Sequence, residues 1–336
     1  MSRVSVPPME AAEIMAMPHR SKLSSLRLRC PKCRQDFPAS DSASSRRACS
    51  GCGFAISEVH GILHALAPDR ELYFQQFVDQ YETVRAKEGR GSSSADYYLA
   101  LPFRDLTGNN AWQWQIRGRT FRHLEQHLLP AIESAYPRGC SVLDLGAGNG
   151  WLSYRLALRG HWPVAVDLLD NDSDGLGAAQ HYFQHLPEPF PRFQAEMDQL
   201  PFAAEQFDVV VFNASFHYSV DYERTLREAL RCLRRPGHVI IVDSPLYSRD
   251  ESGRAMLEEK RAAFQKQFGF RSDSIPSGEY LTPEILNELA EKLSLQWNVL
   301  KPWYGIGWAL RPVKARLLRR REPSRFYLLW AKVQSR

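Results

Sequence analysis

Residues 142–150 read Val-Leu-Asp-Leu-Gly-Ala-Gly-Asn-Gly, and a helix-forming run, 151–158, follows at once. An apolar strand that turns through glycines into a helix constrains the fold more than any other stretch. That order puts backbone amides and the positive end of a helix at the carboxyl edge of a sheet, where nucleotide-like ligands bind. Glycine suits the loop because it lacks a Cβ, so the chain turns sharply and a ligand can approach the main chain.

The spacing narrows the ligand. A dinucleotide loop needs G-x-G-x-x-G. Gly146 and Gly148 fit, but the third position is Trp151, and the next glycine comes one residue early at Gly150. Asp144 ends the strand two residues before the loop. A buried carboxylate there needs a partner, which a cationic amino group on the ligand would supply. Asp167 closes a second strand, 163–166, and stands 21 residues after Gly146. An acid at that distance can accept both hydroxyls of an adenosine ribose, and its charge disfavours a 2′-phosphate. The alternatives are an ordinary glycine turn and an Asp167 that only caps the following turn.

The following segments extend the pattern. Residues 190–197 read as a third strand and lead into Leu200-Pro201-Phe202. Residues 207–213, Phe-Asp-Val-Val-Val-Phe-Asn, are almost continuously apolar, as a strand covered on both faces should be. Residues 221–233 have helical periodicity, with Leu226, Ala229, Leu230 and Leu233 on one face. Residues 238–243 read as strand five, and Thr282 with Pro283 opens a helix through Leu293. Residues 295–300 and 325–333 read as the last two strands.

The D-x-G-x-G loop, the acid at 167 and the L-P-F segment resemble class I S-adenosylmethionine-dependent methyltransferases of the type 11 kind. The similarity covers about 136–333. It implies an α/β fold with a Rossmann-like seven-stranded sheet whose last strand is antiparallel. It further implies cofactor contacts from Asp144, Gly146, Ala147, Gly148, Asp167, Leu168, Glu196, Met197 and Asn213. Alignment on the L-P-F segment puts Glu196 where the family carries an aspartate that binds the adenine amino group, and Asp198 is the competing candidate.

The cysteines supply a second pattern. Cys30, Cys33, Cys49 and Cys52 are spaced C-x2-C-x15-C-x2-C. Two such turns offer four thiolates to one Zn²⁺, and Arg29, Lys32, Arg34, Arg46 and Arg47 offset their charge. Two disulfides or four free thiols are the other readings. The following residues, 54–63, resemble the strand and Gly-Ile turn of Trm112-like zinc ribbons. Cys140 and Cys232 stand apart from the cluster.

The 336 residues suffice for a core near 200 residues plus a small metal domain. The expected division is a disordered leader over 1–25, with an uncertain start methionine, a zinc ribbon over 26–67, a helical lid over 68–130 and the methyltransferase domain over 131–336. No apolar run reaches 18 residues, so no membrane span is expected. Metal-binding thiols without a secretory leader predict a cytoplasmic protein. Residues 71–85 and 119–129 read as lid helices. The aromatics Tyr97, Tyr98, Trp112 and Trp114 either line an acceptor pocket or pack between lid and sheet.

Charge is uneven. The chain carries +5 overall, yet residues 301–336 hold ten Lys/Arg and one Glu. The cluster 311–325 is expected in the loop between the last two strands, at or beside the carboxyl edge of the sheet. It is a solvated loop, an anion pocket or a nucleic-acid contact. Methyl transfer from a sulfonium needs chiefly in-line positioning, with a base where the acceptor is an alcohol or amine. His217, expected to titrate near neutrality after strand four, is the candidate base; a structural histidine is the alternative. Tyr247 is a further candidate. No Asn-Pro-Pro-Tyr run favours methylation of base amines. The preferred reading is methyl transfer to a small-molecule acceptor. An RNA methyltransferase using ribbon and basic loop, and a non-catalytic cofactor-binding regulatory module, are the other two.

Overall fold

The computed structural model describes residues 25–38 and 46–334. The leader expected over 1–25 thus lies outside the described residues up to 24. The described chain begins with three short strands, β1 (Arg46–Ala48), β2 (Ala55–Val59) and β3 (Ile62–His64). Four helices follow: α1 (Pro68–Lys87), α2 (Ala95–Ala100), α3 (Ala111–His127) and α4 (Leu129–Ala135). The alternating part then runs β4 (Ser141–Leu145), α5 (Trp151–Leu158), β5 (Trp162–Asp167), α6 (Gln180–Phe183), β6 (Arg192–Gln194) and β7 (Phe207–Asn213). It continues through α7 (Tyr222–Cys232), β8 (Leu233–Val242), α8 (Asp250–Phe268) and α9 (Pro283–Leu293). It closes with β9 (Asn298–Leu300), α10 (Ile306–Ala309), α11 (Arg311–Leu317) and β10 (Leu328–Val333).

All ten strands share one sheet in the order β1-β2-β3-β6-β5-β4-β7-β8-β10-β9. From β3 to β8 the neighbours are parallel, with Leu143 opposite both Val164 and Val210. β10 runs antiparallel to β8 and to β9, so the last seven strands carry the expected Rossmann-like pattern and its antiparallel end. The order reverses at β4, and such a switch point opens a crevice at the carboxyl ends of the strands.

Alternation along the strands builds two cores. Leu143, Leu145, Val164, Val166, Val210 and Phe212 face one side, with α7 and α9. Val142, Ala165, Val209, Val211, Ile240 and Val242 face the other, with α3, α4 and α5. Period-two alternation explains the division. Helix starts follow local chemistry: Thr282 accepts from the Ile285 amide at 3.3 Å and Asp221 from the Arg224 amide at 3.0 Å.

Two expectations change. β8 begins earlier than expected, at Leu233: Phe207 pairs with Leu233 and Val333 with Gly237, and the exposed residues 234–236 between them make an irregularity in the strand. The basic segment between β9 and β10 is not an open loop but carries α10 and α11.

The N-terminal strands are welded to the sheet edge. β3 pairs parallel with β6, Leu63 opposite Phe193. The Arg29 amide donates to the Pro201 carbonyl at 3.0 Å and the Ala203 amide to the Arg27 carbonyl at 2.9 Å. Leu28, Ile56 and Leu63 lie in the same apolar core as Phe193 and Phe202. The L-P-F segment therefore serves as the seam along which the cysteine-bearing segment docks.

Candidate functional site

The glycine loop sits where the sequence places it, between β4 and α5. Gly146 has φ +73°, and a Cβ there would come within 2.2 Å of the Ser215 Cβ, so the loop and the chain after β7 touch only because that position is glycine. Gly150, at φ +76°, caps α5 in the left-handed region.

A cleft opens beside this loop, lined by Gly146, Ala147, Gly148, Asp167, Leu168, Met197 and Asn213, among others. Seven of the nine anticipated cofactor residues thus border one cavity, and Asp144 and Glu196 do not. Asp167 accepts from the Gly148 amide at 2.7 Å and the Leu169 amide at 2.9 Å. These bonds orient its carboxylate at the end of β5. Burial pushes its pKa above the usual carboxylate range. Each carboxylate oxygen keeps a second lone pair for a ligand hydroxyl.

Asp144 lies beneath the loop and is fully buried. One oxygen accepts from Ser153 Oγ at 2.8 Å; the other has no partner. Burial, with Asp167 nearby, pushes its pKa up to about 7. Asn213 Oδ1 is a second buried acceptor without a partner, and Asn213 lines the cleft. An unpaired buried acceptor carries a desolvation cost that a donor on a bound ligand can relieve.

Glu196 is committed elsewhere. Both its oxygens receive the Arg70 guanidinium, at 2.8 and 2.7 Å, and the side chain is only 4% exposed. The adenine contact expected of it is replaced by a tie to α1. Asp198, the competing candidate, takes the Thr225 hydroxyl and faces Arg224 at 3.9 Å, so it serves α7.

A second cavity adjoins the first. The two share Phe77, Tyr81, Arg85, Arg117, Ala214 and Tyr218. Of these, the sequence reading had singled out none individually; they come from α1, from α3 and from the turn after β7. The helical, aromatic-rich character of α1 was visible, but its direction over the cleft was not. Arg117 sits at the junction, its guanidinium 4.8 Å from the Trp114 ring centre, with no ion pair among the described residues. Burial and the cations Arg90 and Arg85 lower its pKa. His217 lines the second cavity, 3.4 Å from Ser244 Oγ through Nδ1. Burial, with Lys260, Arg117 and Arg85 nearby, holds its pKa down to about 3. The expected near-neutral titration is thus overturned; the imidazole is neutral. Tyr247 is buried outside both cavities.

Of the four aromatics considered for an acceptor pocket, only Trp112 lines the second cavity. Tyr97, Tyr98 and Trp114 are at most 2% exposed and pack in the core: Tyr98 stacks on His181 at 4.5 Å, and Trp114 meets Trp151 edge-on at 6.2 Å. Their apolar bulk wins over exposure because α2 and α3 bury them against α5 and α6.

The sulfurs of Cys30, Cys33, Cys49 and Cys52 all lie within 4.8 Å of one another. Cys30 and Cys52 are 3.6 Å apart, Cys33 and Cys49 3.4 Å, and none is disulfide-bonded. Four thiolates at Zn–S distances near 2.3 Å would stand about 3.8 Å apart at the corners of a tetrahedron, so the donor set fits zinc.

Similar proteins bear on the same stretch. The chain is 30% identical over 165 residues to malonyl-[acyl-carrier protein] O-methyltransferase of Erwinia pyrifoliae, covering 49% of this chain and 56% of that protein. It is 34% identical over 140 residues to phosphatidylethanolamine N-methyltransferase of Cereibacter sphaeroides, covering 40% and 65%. It is 32% identical over 105 residues to demethylmenaquinone methyltransferase of Mycobacterium marinum, covering 31% and 42%. The chain thus spans between two fifths and two thirds of the length of these relatives. Residues 143–241, from the glycine-loop strand through β8, match the family model described as "Methyltransferase domain".

Proposed function

We propose that this chain is an S-adenosylmethionine-dependent methyltransferase acting on a small-molecule acceptor. The observation that carries the reading is the pair of adjoining cavities at the switch point, one bordered by the glycine loop and Asp167, the other by His217 and the aromatics of α1 and α3. The methyltransferase relatives support it. Their names point to malonyl-[acyl-carrier protein], phosphatidylethanolamine and demethylmenaquinone as acceptors, so a small or lipid-like acceptor is the matching class.

When bound, the cofactor supplies a methyl group already activated for displacement. Asp167 holds the ribose hydroxyls, and the backbone of Gly146, Ala147 and Gly148 lets the ligand lie against the main chain. The unpaired oxygen of Asn213 accepts from the cofactor amino group, and Asp144, behind the loop, takes the Ser153 hydroxyl and so ties α5 to the end of β4. Arg117 holds an anionic group at the junction of the two cavities. Leu168 and Met197 flank the adenine. His217, neutral and weakly basic, positions the acceptor through a hydrogen bond instead of removing its proton. Zn²⁺ held by Cys30, Cys33, Cys49 and Cys52 in a Trm112-like ribbon has a structural role.

The test is binding followed by transfer. S-adenosylhomocysteine should stabilise the native chain by about 2.7 kcal/mol at a hundredfold excess over its Kd, read as a rise in Tm. Radiolabelled methyl should then pass from the cofactor into an RNase-resistant small-molecule fraction of cell extract. Equal stabilisation by NADH, or label confined to RNA, would defeat the reading.

A further inference from the structure

The segment between β9 and β10 has no role in either cavity except at one end. Ile306, Leu310, Val313 and Leu317 are 71%, 55%, 56% and 79% exposed. The backbone is helical through α10, Leu310 and α11, with amide bonds from Leu310 to Ile306, Lys314 to Leu310 and Leu318 to Lys314. At 3.6 residues per turn these four side chains fall within roughly 60° of arc, a single exposed aliphatic stripe. Trp303, 66% exposed, stands just before it.

Charge frames the stripe. Residues 301–321 contain no acid. Lys314 and Arg316 lie on its two flanks and Arg319 and Arg320 follow; among the described residues none of the four has an ion pair. Arg321, by contrast, is paired with Glu259 at 2.8 Å.

We propose that α10 and α11 dock this protein, in the plane of the interface, on an anionic lipid bilayer. An exposed aliphatic stripe flanked by long cationic side chains is what an interfacial helix presents to lipid: the stripe enters the acyl boundary and the cations reach headgroup phosphates. A two-fold dimer through this face would bring its unpaired cations together. Single-stranded RNA would stack its bases on a row of aromatics, whereas the four residues of the stripe are aliphatic and Trp303 stands only at its end. Among the described residues no helix is long and apolar enough to cross a membrane.

The location adds a consequence that rests on the proposed methyl transfer. Trp308, on the inner side of the segment, packs against Trp112 and Phe326, each at 5.7 Å, and both line the second cavity. Docking therefore sets the mouth of that cavity at the lipid surface, where an amphiphilic acceptor is available.

The test reads docking alone, without cofactor or turnover, so its outcome is independent of the methyl-transfer reading. The full chain is floated with phosphatidylcholine vesicles with and without phosphatidylglycerol, at low and high salt. Binding is expected only with the anionic lipid and should fall with salt. The triple variant Arg316→Gln, Arg319→Gln, Arg320→Gln should bind on the order of a hundredfold more weakly. Leu310→Ser, Val313→Ser, Leu317→Ser should lose binding to a similar extent while keeping the parental Tm and S-adenosylhomocysteine affinity, since all three side chains are exposed. The proposal is overturned by absence of vesicle binding at low salt, or by a serine variant that binds as the parent does. It is equally overturned by a parental dimer that the serine variant dissolves, or by transfer RNA outcompeting the vesicles.

Discussion

Asp167 has two tasks at one carboxylate. It takes the Gly148 and Leu169 amides, which shape the loop, and it leaves lone pairs toward the cleft. Asp167→Ala should weaken S-adenosylhomocysteine binding by about 1.5–3 kcal/mol, the usual worth of hydrogen bonds to a charged group. Calorimetry with the melting curve as a folding control measures this, and an unaltered Kd would remove Asp167 from the binding role. Glu196 teaches the opposite lesson. Its position in the motif was readable, but one added methylene and an arginine arriving from α1 gave its charge another use. Sequence spacing can put a carboxylate at a strand end; it cannot say which cation will reach it first.

At the level of elements, α1 is the piece whose role only the fold discloses. Its start, at Arg70, is tied to Glu196 beyond β6, and its later turns bring Phe77, Tyr81 and Arg85 to both cavities. Cutting the tie with Arg70→Ala leaves Glu196 buried without its cation and should cost about 1.5–3 kcal/mol of stability. S-adenosylhomocysteine affinity should fall with it, because the helix that walls the cleft loses its anchor. Adding Glu196→Gln to that variant should recover part of the lost stability, a coupling that a double-mutant cycle reads directly. Independent, additive effects of the two substitutions would mean the contact is idle. The α1 helix was legible from its composition, as were β7 and α9, whose observed limits, Phe207–Asn213 and Pro283–Leu293, coincide with strong apolar runs and a Thr-Pro start. The segment between β9 and β10 was not, since its many cations read as a solvated loop until its aliphatic residues are seen on one side of a helix.

Across the whole molecule, the cysteine-bearing strands continue the sheet through β3 and β6 and share the core of Phe193 and Phe202. A metal that holds those turns should therefore stabilise more than its own forty residues. We expect one Zn²⁺ per chain by elemental analysis, and its removal by a chelator should lower the main calorimetric transition, not only a small early one, since structural zinc sites contribute folding free energy outright. Metal-free protein from a chelator-free preparation, or a main transition indifferent to chelation, would refute this. The α/β class was readable from the alternation of apolar strands and helices because parallel strands must be buried on both faces and return through crossovers, whereas the antiparallel end came from the family resemblance and the extension of the sheet by β1–β3 emerged only with the fold. The glycine loop and Asp167 were readable because their chemistry depends on backbone conformation and spacing along a single chain. What folding alone decided is what depends on distant segments meeting: Arg70 on Glu196, the cysteine turns on the L-P-F seam, Tyr97, Tyr98 and Trp114 in the core instead of the pocket, and burial deep enough to keep His217 neutral. Desolvation and ion pairing are set by three-dimensional neighbours, and local sequence carries no record of them.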